Sequence, residues 1–224
     1  MAAEHDPGFF ARLRQAAGPA WPAYTKHEFV RGLADGTLAL ESFRHYLIQD
    51  YLFLIQFARA LALAVYKSDS LGEMRLASGA MLGIVDTEMK LHVGFCASWG
   101  ISEAQMQAAP EAAANIAYTR FVQERGLGGD LLDLQAALMP CIAGYAEIGA
   151  ALLASAGANN PYRAWIDMYG GADYQNFAAT WIAALDDSAE KRGGEARFAA
   201  LAKTFTQATQ LEVRFWQMAL DREI

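Results

Sequence analysis

The sequence predicts an all-α protein, a single helical bundle, on three observations. Apolar residues recur three and four apart through most of the chain. No run of alternating β-branched residues framed by turn signals occurs, so no sheet is expected. Glycine and capping residues fall where helices would end and begin. The chain has 224 residues, 54% hydrophobic and 19% charged. That is enough apolar material for an extended core without disulfides or a structural metal, and too much for a disordered chain. No break is long enough for an interdomain linker and no internal repeat is present. One domain over residues 1–224, built from about eight to ten helices by ordinary helix length, is the expected object.

Taken in order, Leu47, Leu54, Phe57, Ala58, Leu61 and Val65 mark an early long helix after a break at Gly36. Leu76, Leu82, Ile84, Val85, Met89 and Phe95 mark the next, ending near Gly100. Gly126, Gly128 and Gly129 read as a turn, and Asp130 as the cap of a long apolar helix. Inside that helix lies LMPCIAGYAEIG, residues 138–149, where Pro140 should kink or break the helix one residue before Cys141. Asn160 before Pro161 reads as another cap. DDSAEKRGGE, residues 186–195, reads as an exposed loop, and Leu201, Phe205, Ala208, Leu211, Phe215 and Met218 mark the final helix.

Charge and motif content exclude several function classes. The net charge is −7, with no clustered Lys or Arg face, which argues against nucleic-acid binding. The two cysteines, Cys96 and Cys141, make no disulfide framework and read as free thiols in a reducing cytoplasm. The N-terminus lacks a secretory signal pattern, and the longest uncharged runs contain Gly, Pro and paired Asn, so no membrane span is expected. There is no phosphate-binding loop, and GLGGDL fails the dinucleotide pattern.

Several side chains could carry chemistry. Cys141 follows the helix proline; its plain alternative is a small core filler. Asp50 and Glu212 are lone acids among large apolar residues, and either faces the bundle interior or pairs at the surface, Asp50 with Arg44 or Arg59 and Glu212 with Arg214. Glu88 and His92, in EMKLH, have the spacing of a metal-ligand pair, but no further matching acid–histidine spacing supports a di-metal site. His27 could serve as a haem ligand, but a lone histidine does not specify one. Phe53, Tyr118, Tyr145, Tyr169 and Phe215 would each suit a core; together they would also make a cage for a flat heterocycle.

FRHYLIQDYLFLIQFARALA, PCIAGYAEIG, NPYRAWIDMYGG and TQLEVRFWQMAL occur in that order and, as an ordered set, resemble the TenA family, also called thiaminase II or aminopyrimidine aminohydrolase. The resemblance spans about Phe9 to Leu220. It implies a haem-oxygenase-like helical fold without haem or other cofactor, assembled as a homotetramer. It implies hydrolysis of 4-amino-5-aminomethyl-2-methylpyrimidine to the hydroxymethylpyrimidine and ammonia, a salvage of degraded thiamin, with cleavage of thiamin as a related activity. By position, Cys141 matches the family nucleophile, Glu212 the acid/base and Asp50 the carboxylate that holds the pyrimidine amino edge. Tyr118, Tyr145 and Tyr169 match pocket tyrosines, and Phe53 and Phe215 ring-stacking positions. A branch of the family lacks the cysteine; this chain resembles the branch that bears it. Two other readings stay open: a pyrimidine-binding or regulatory protein without turnover, and a haem or di-metal oxidase on a similar bundle.

Overall fold

The computed structural model describes residues 7–224. Among them are helices and no strands. The first half comprises α1 (Phe9–Ala16), α2 (Ala20–Thr25), α3 (Glu28–Asp35), α4 (Leu40–Lys67), α5 (Leu71–Gly83), a π-helical segment (Ile84–Glu88), α6 (Met89–Ser98) and α7 (Glu103–Gln107). The second comprises α8 (Ala113–Gly128), α9 (Leu131–Ser155), α10 (Arg163–Gly170), α11 (Ala172–Lys191) and α12 (Gly194–Asp221). Twelve α-helices exceed the eight to ten expected, because short helices such as α2 and α7 fill what average helix length counts as connections.

Helix α9 is the centre. Its apolar residues face every direction, so it is buried on nearly all sides, and it packs against α8, α10, α11 and α12. Asp130 caps it: its side chain accepts from Asp133 N at 3.1 Å, and Asp133 accepts from Asp130 N at 2.9 Å. Arg197 of α12 reaches both carboxylates at 2.6 Å, tying the start of α9 to the helix that carries Glu212. Pro140 lies inside α9 without breaking it: the helix runs unbroken through Cys141. Tertiary packing on all sides holds the turn that the missing N–H weakens.

Two close approaches fix neighbours of the site. A Cβ on Gly149 would lie 2.3 Å from the Tyr169 carbonyl carbon, so α9 and α10 touch backbone to backbone. A Cβ on Gly144 would lie 2.1 Å from the Tyr24 ring, so only glycine admits that ring against α9.

Gly36 and Gly100 sit at positive φ, 70° and 76°, just past α3 and α6, as expected. Other boundaries differ. Gly126 is not in a turn but inside α8, where a Cβ would lie 2.7 Å from Leu63 and 3.0 Å from Leu134; it serves close packing. Asn160 does not cap α10 directly: it accepts from Tyr162 N and donates to the carbonyls of Leu33 and Ala34. The segment 186–195 is mostly helix. α11 continues to Lys191, supported by the Lys191–Asp187 pair one turn apart and by Arg192, which binds Asp69 and Glu73 across the bundle. Leu82 and Val85, expected in the core, are 53% and 52% exposed on the outer face of the α5–π segment. Two helices, α4 and α9, are long and apolar enough to cross a membrane by length and composition. Both belong to the bundle, and 78% of the most apolar stretch of α9 is buried in it.

Candidate active site

A cavity of about 540 Å³ opens between α4, α5, the π segment, α9, α10 and α11, a size suited to a small organic ligand. Asp50, Phe53, Cys141 and Tyr145 all line it. Four of the eight residues picked out in the sequence thus meet at one surface. The other four, Glu212, Tyr118, Tyr169 and Phe215, stand immediately behind it, each touching a lining residue or a partner of one.

Asp50 sits mid-way along α4, one turn after Tyr46, so both project from one face. Tyr46 donates its hydroxyl to Asp50 Oδ2 at 2.9 Å. His92 Nε2 lies 2.6 Å from the same oxygen, and its Nδ1 lies 2.9 Å from the Glu88 carbonyl. A carboxylate and a carbonyl only accept here, so both ring nitrogens must donate, which makes His92 an imidazolium. Burial pulls its pKa down, but the bond to Asp50 and the charges of Asp50 and Glu88 outweigh that and raise it. The hydrogen bonds to Asp50 from described residues all fall on Oδ2, leaving Oδ1 for a ligand in the cavity. Neither Arg44 nor Arg59 pairs with Asp50; they bind Glu41 and Gln56.

Cys141 and Tyr145 stand one turn apart on the cavity face of α9. Burial, reinforced by the charges of Glu212, Glu88 and Asp50, holds the Cys141 thiol well above the usual thiol pKa, so the resting group is SH. Glu212 on α12 is 2% exposed and accepts the Tyr118 hydroxyl at 2.8 Å. It does not pair with Arg214 on the surface. Burial pushes its pKa up to about 8; the Tyr118 bond opposes this and the Asp50 charge adds to it. At neutral pH Glu212 is therefore a carboxylic acid beside a thiol, while Asp50 faces an imidazolium. The two acids have unlike partners: Glu212 accepts from Tyr118, and Asp50 is held by Tyr46 and His92.

Aromatic rings frame one side of the cavity. Phe53 lines it, with Phe57 stacked on it at 5.4 Å, and is backed by Tyr118 at 5.2 Å and Phe215 at 5.5 Å. Phe215 does not line the cavity; it packs behind Phe53. Tyr145 lies 4.9 Å from Tyr169, whose hydroxyl donates to Glu88.

Sequence reasoning did not single out Tyr46, Tyr174 or Phe177, and it read Glu88 and His92 only as a metal pair. Tyr46 had a signal: it stands four residues before Asp50 in HYLIQD. Tyr174 and Phe177 line the cavity from α11 without any chemical motif. Among the described residues no group of three or more His, Cys, Asp or Glu is placed to hold a metal. Both nitrogens of His92 are engaged. His27 caps α3, accepting from Phe29 N, and His45 bonds the Glu223 carbonyl, so neither faces the cavity. His5 lies outside the described residues.

The fold and site define an all-α protein with a cavity lined by a thiol and a carboxyl group and backed by a second, buried carboxyl group. The family profile described as TENA/THI-4/PQQC matches residues 14–222, and the chain belongs to that family. It is 35% identical over 218 residues to the aminopyrimidine aminohydrolase of Halalkalibacterium halodurans, covering 96% of this chain and 97% of that one. It is 33% identical over 216 residues to the enzyme of the same name from Bacillus subtilis, covering 96% and 91%. The crystal structure of a TenA family transcription regulator from Silicibacter sp. TM1040 superposes with a TM-score of 0.91 at 52% identity, covering 95% and 96%.

Proposed function

We propose that this protein is an aminopyrimidine aminohydrolase of thiamin salvage. It converts 4-amino-5-aminomethyl-2-methylpyrimidine and water to the 5-hydroxymethyl compound and ammonia, with thiamin hydrolysis as a related activity. The observation that carries the reading is the pairing of a cavity-lining thiol with a buried, protonated Glu212 on one side and an oriented Asp50 on the other. The near full-length relatives named for that activity support it.

The mechanism follows from the proton inventory. Asp50 Oδ1 accepts from the 4-amino group and sets the ring's orientation. The ring lies against Phe53, with Tyr145 at its edge. Glu212 gives its proton to a ring nitrogen and, now a carboxylate, takes the proton of Cys141. The sulfur adds to the adjacent ring carbon, so the net transfer is thiol proton to ring nitrogen and sulfur electrons to carbon. The electron pair returned by the adduct expels the protonated amine at the methylene as ammonia. Water adds there, and its surplus proton leaves with the ammonia as ammonium; the C–S bond then breaks, and the ring nitrogen returns its proton to the departing thiolate through Glu212. The neutral thiol and acid of the resting site are thereby regenerated.

The whole chain acts as one catalytic domain in the cytoplasm, and it assembles as a homotetramer. Exposed Tyr66, Leu71, Leu82 and Val85 near the α4–α5 corner and the π segment supply an apolar surface for that assembly. The name of the Silicibacter relative raises a binding-only reading, but a net charge of −7 disfavours contact with DNA phosphates. Ammonia release by the purified protein from the aminomethylpyrimidine, with thiamin in parallel, tests the proposal. Turnover of the aminomethyl compound supports it; binding without ammonia release returns the protein to the regulatory reading.

A further inference from the structure

Glu88 is a lining residue that the proton inventory leaves unused. It ends the π-helical segment, a rare distortion often found at functional sites. Thr87 and Glu88, at the end of that segment, both reach the cavity. The hydrogen bonds to the Glu88 carboxyl from described residues fall on Oε1, from Tyr169, and leave Oε2 for the cavity. The lining includes Asp50, Glu88, Asp167 and Asp173 but no Lys, Arg or His. Asp167 has Arg163 as a partner and Asp50 has His92, whereas among the described residues no cation pairs with the Glu88 carboxyl.

Resting on the aminohydrolase reading, we propose that Glu88 is a substrate-recognition residue: its carboxylate receives the exocyclic ammonium, so the site selects ligands that carry a cationic group at the 5-methylene. The aminomethylpyrimidine carries a primary ammonium there and thiamin a quaternary thiazolium, while the hydroxymethyl product is neutral. One carboxylate would thus hold both substrates and release the product. Burial raises the Glu88 pKa to about 7, against the opposing pull of His92, with the Asp50 charge adding to the rise. A cation bound beside Glu88 draws it back toward the carboxylate.

The test is calorimetric titration of Cys141→Ala protein, which removes the proposed nucleophile, with the aminomethyl and hydroxymethyl pyrimidines in turn. The same titrations follow in Cys141→Ala/Glu88→Gln. Glutamine keeps an acceptor for Tyr169 and removes only the charge. Loss of a charge-assisted bond predicts roughly tenfold or more weaker binding of the aminomethyl ligand, with the hydroxymethyl ligand changed less than about twofold. Equal weakening of both ligands would mean that Glu88 only shapes the cavity, and no change in either would mean that it does not meet the ammonium; each overturns the proposal while leaving the aminohydrolase reading intact. Failure of the Cys141→Ala protein to bind either pyrimidine would instead overturn both together.

Discussion

Replacing His92 with leucine removes the cationic partner of Asp50 while keeping a buried apolar side chain of similar size. The imidazolium and carboxylate are 2.6 Å apart and both are buried. At an effective dielectric of about 20 their attraction is of order 6 kcal/mol, much of it offset by desolvation. Breaking such a pair typically costs about 3–5 kcal/mol, because the remaining charge stays buried and unpaired. With a urea slope of about 1–3 kcal/mol per molar, the unfolding midpoint should fall by roughly 2 M at fixed protein concentration. His92→Gln restores one donor but no charge and should fall between leucine and wild type. The pH dependence has a definite sign. The folded imidazole holds its proton above the ordinary value of 6.5 and the unfolded one does not. The pair therefore contributes fully below about 6.5 and is lost as pH rises through the folded value. The gap between wild type and His92→Leu should narrow on the alkaline side. Ammonia release should fall with it, since Asp50 loses the partner that orients Oδ1. A leucine variant as stable as wild type near pH 6, with unchanged turnover, would refute the ion-pair assignment.

Glu212 behaves oppositely to an ordinary paired carboxylate. Its folded pKa is about 8 against an ordinary value of 4.5, so folding binds a proton that the unfolded chain releases, and stability falls as pH rises from about 4.5 through about 8. Glu212→Gln should flatten this slope in urea melts, gaining stability at pH 8 by an amount of order a few kcal/mol while losing turnover. Gly144→Ala would place a methyl 2.1 Å from the Tyr24 ring. It should cost about 1–3 kcal/mol and alter near-ultraviolet circular dichroism, since Tyr24 stacks on Trp216.

Helical period carried the bundle; the grouping of Asp50, Cys141, Tyr145 and Phe53 was legible only through the family resemblance, and the cavity they line is seen in the folded chain. Helical period did not carry the π-helical segment. A period of 3.6 continues through Leu76 to Phe95 on paper, and only packing against α4 shows where one wider turn is inserted. That turn decides what Glu88 and His92 do. Their spacing suits a metal pair in an ideal helix, whereas in the folded chain one bonds Tyr169 and the other Asp50. Residues 186–195 looked like a loop because polarity and glycines mimic one; a one-turn ion pair and two long-range contacts of Arg192 keep most of the segment helical. Glu212 and Asp50 look alike in sequence, as lone acids among apolar residues. What separates them, a tyrosine on one and a histidine on the other, comes from α8 and α6 and is visible only in three dimensions.

In the proposed reaction every covalent step on the ring runs through the Cys141 sulfur. Ammonia release by Cys141→Ala against wild type, on the aminomethylpyrimidine at saturating concentration, tests it most directly. Turnover should disappear while the folded helical signal stays unchanged. Turnover within a few-fold of wild type would contradict it and reduce Cys141 to a wall of the cavity.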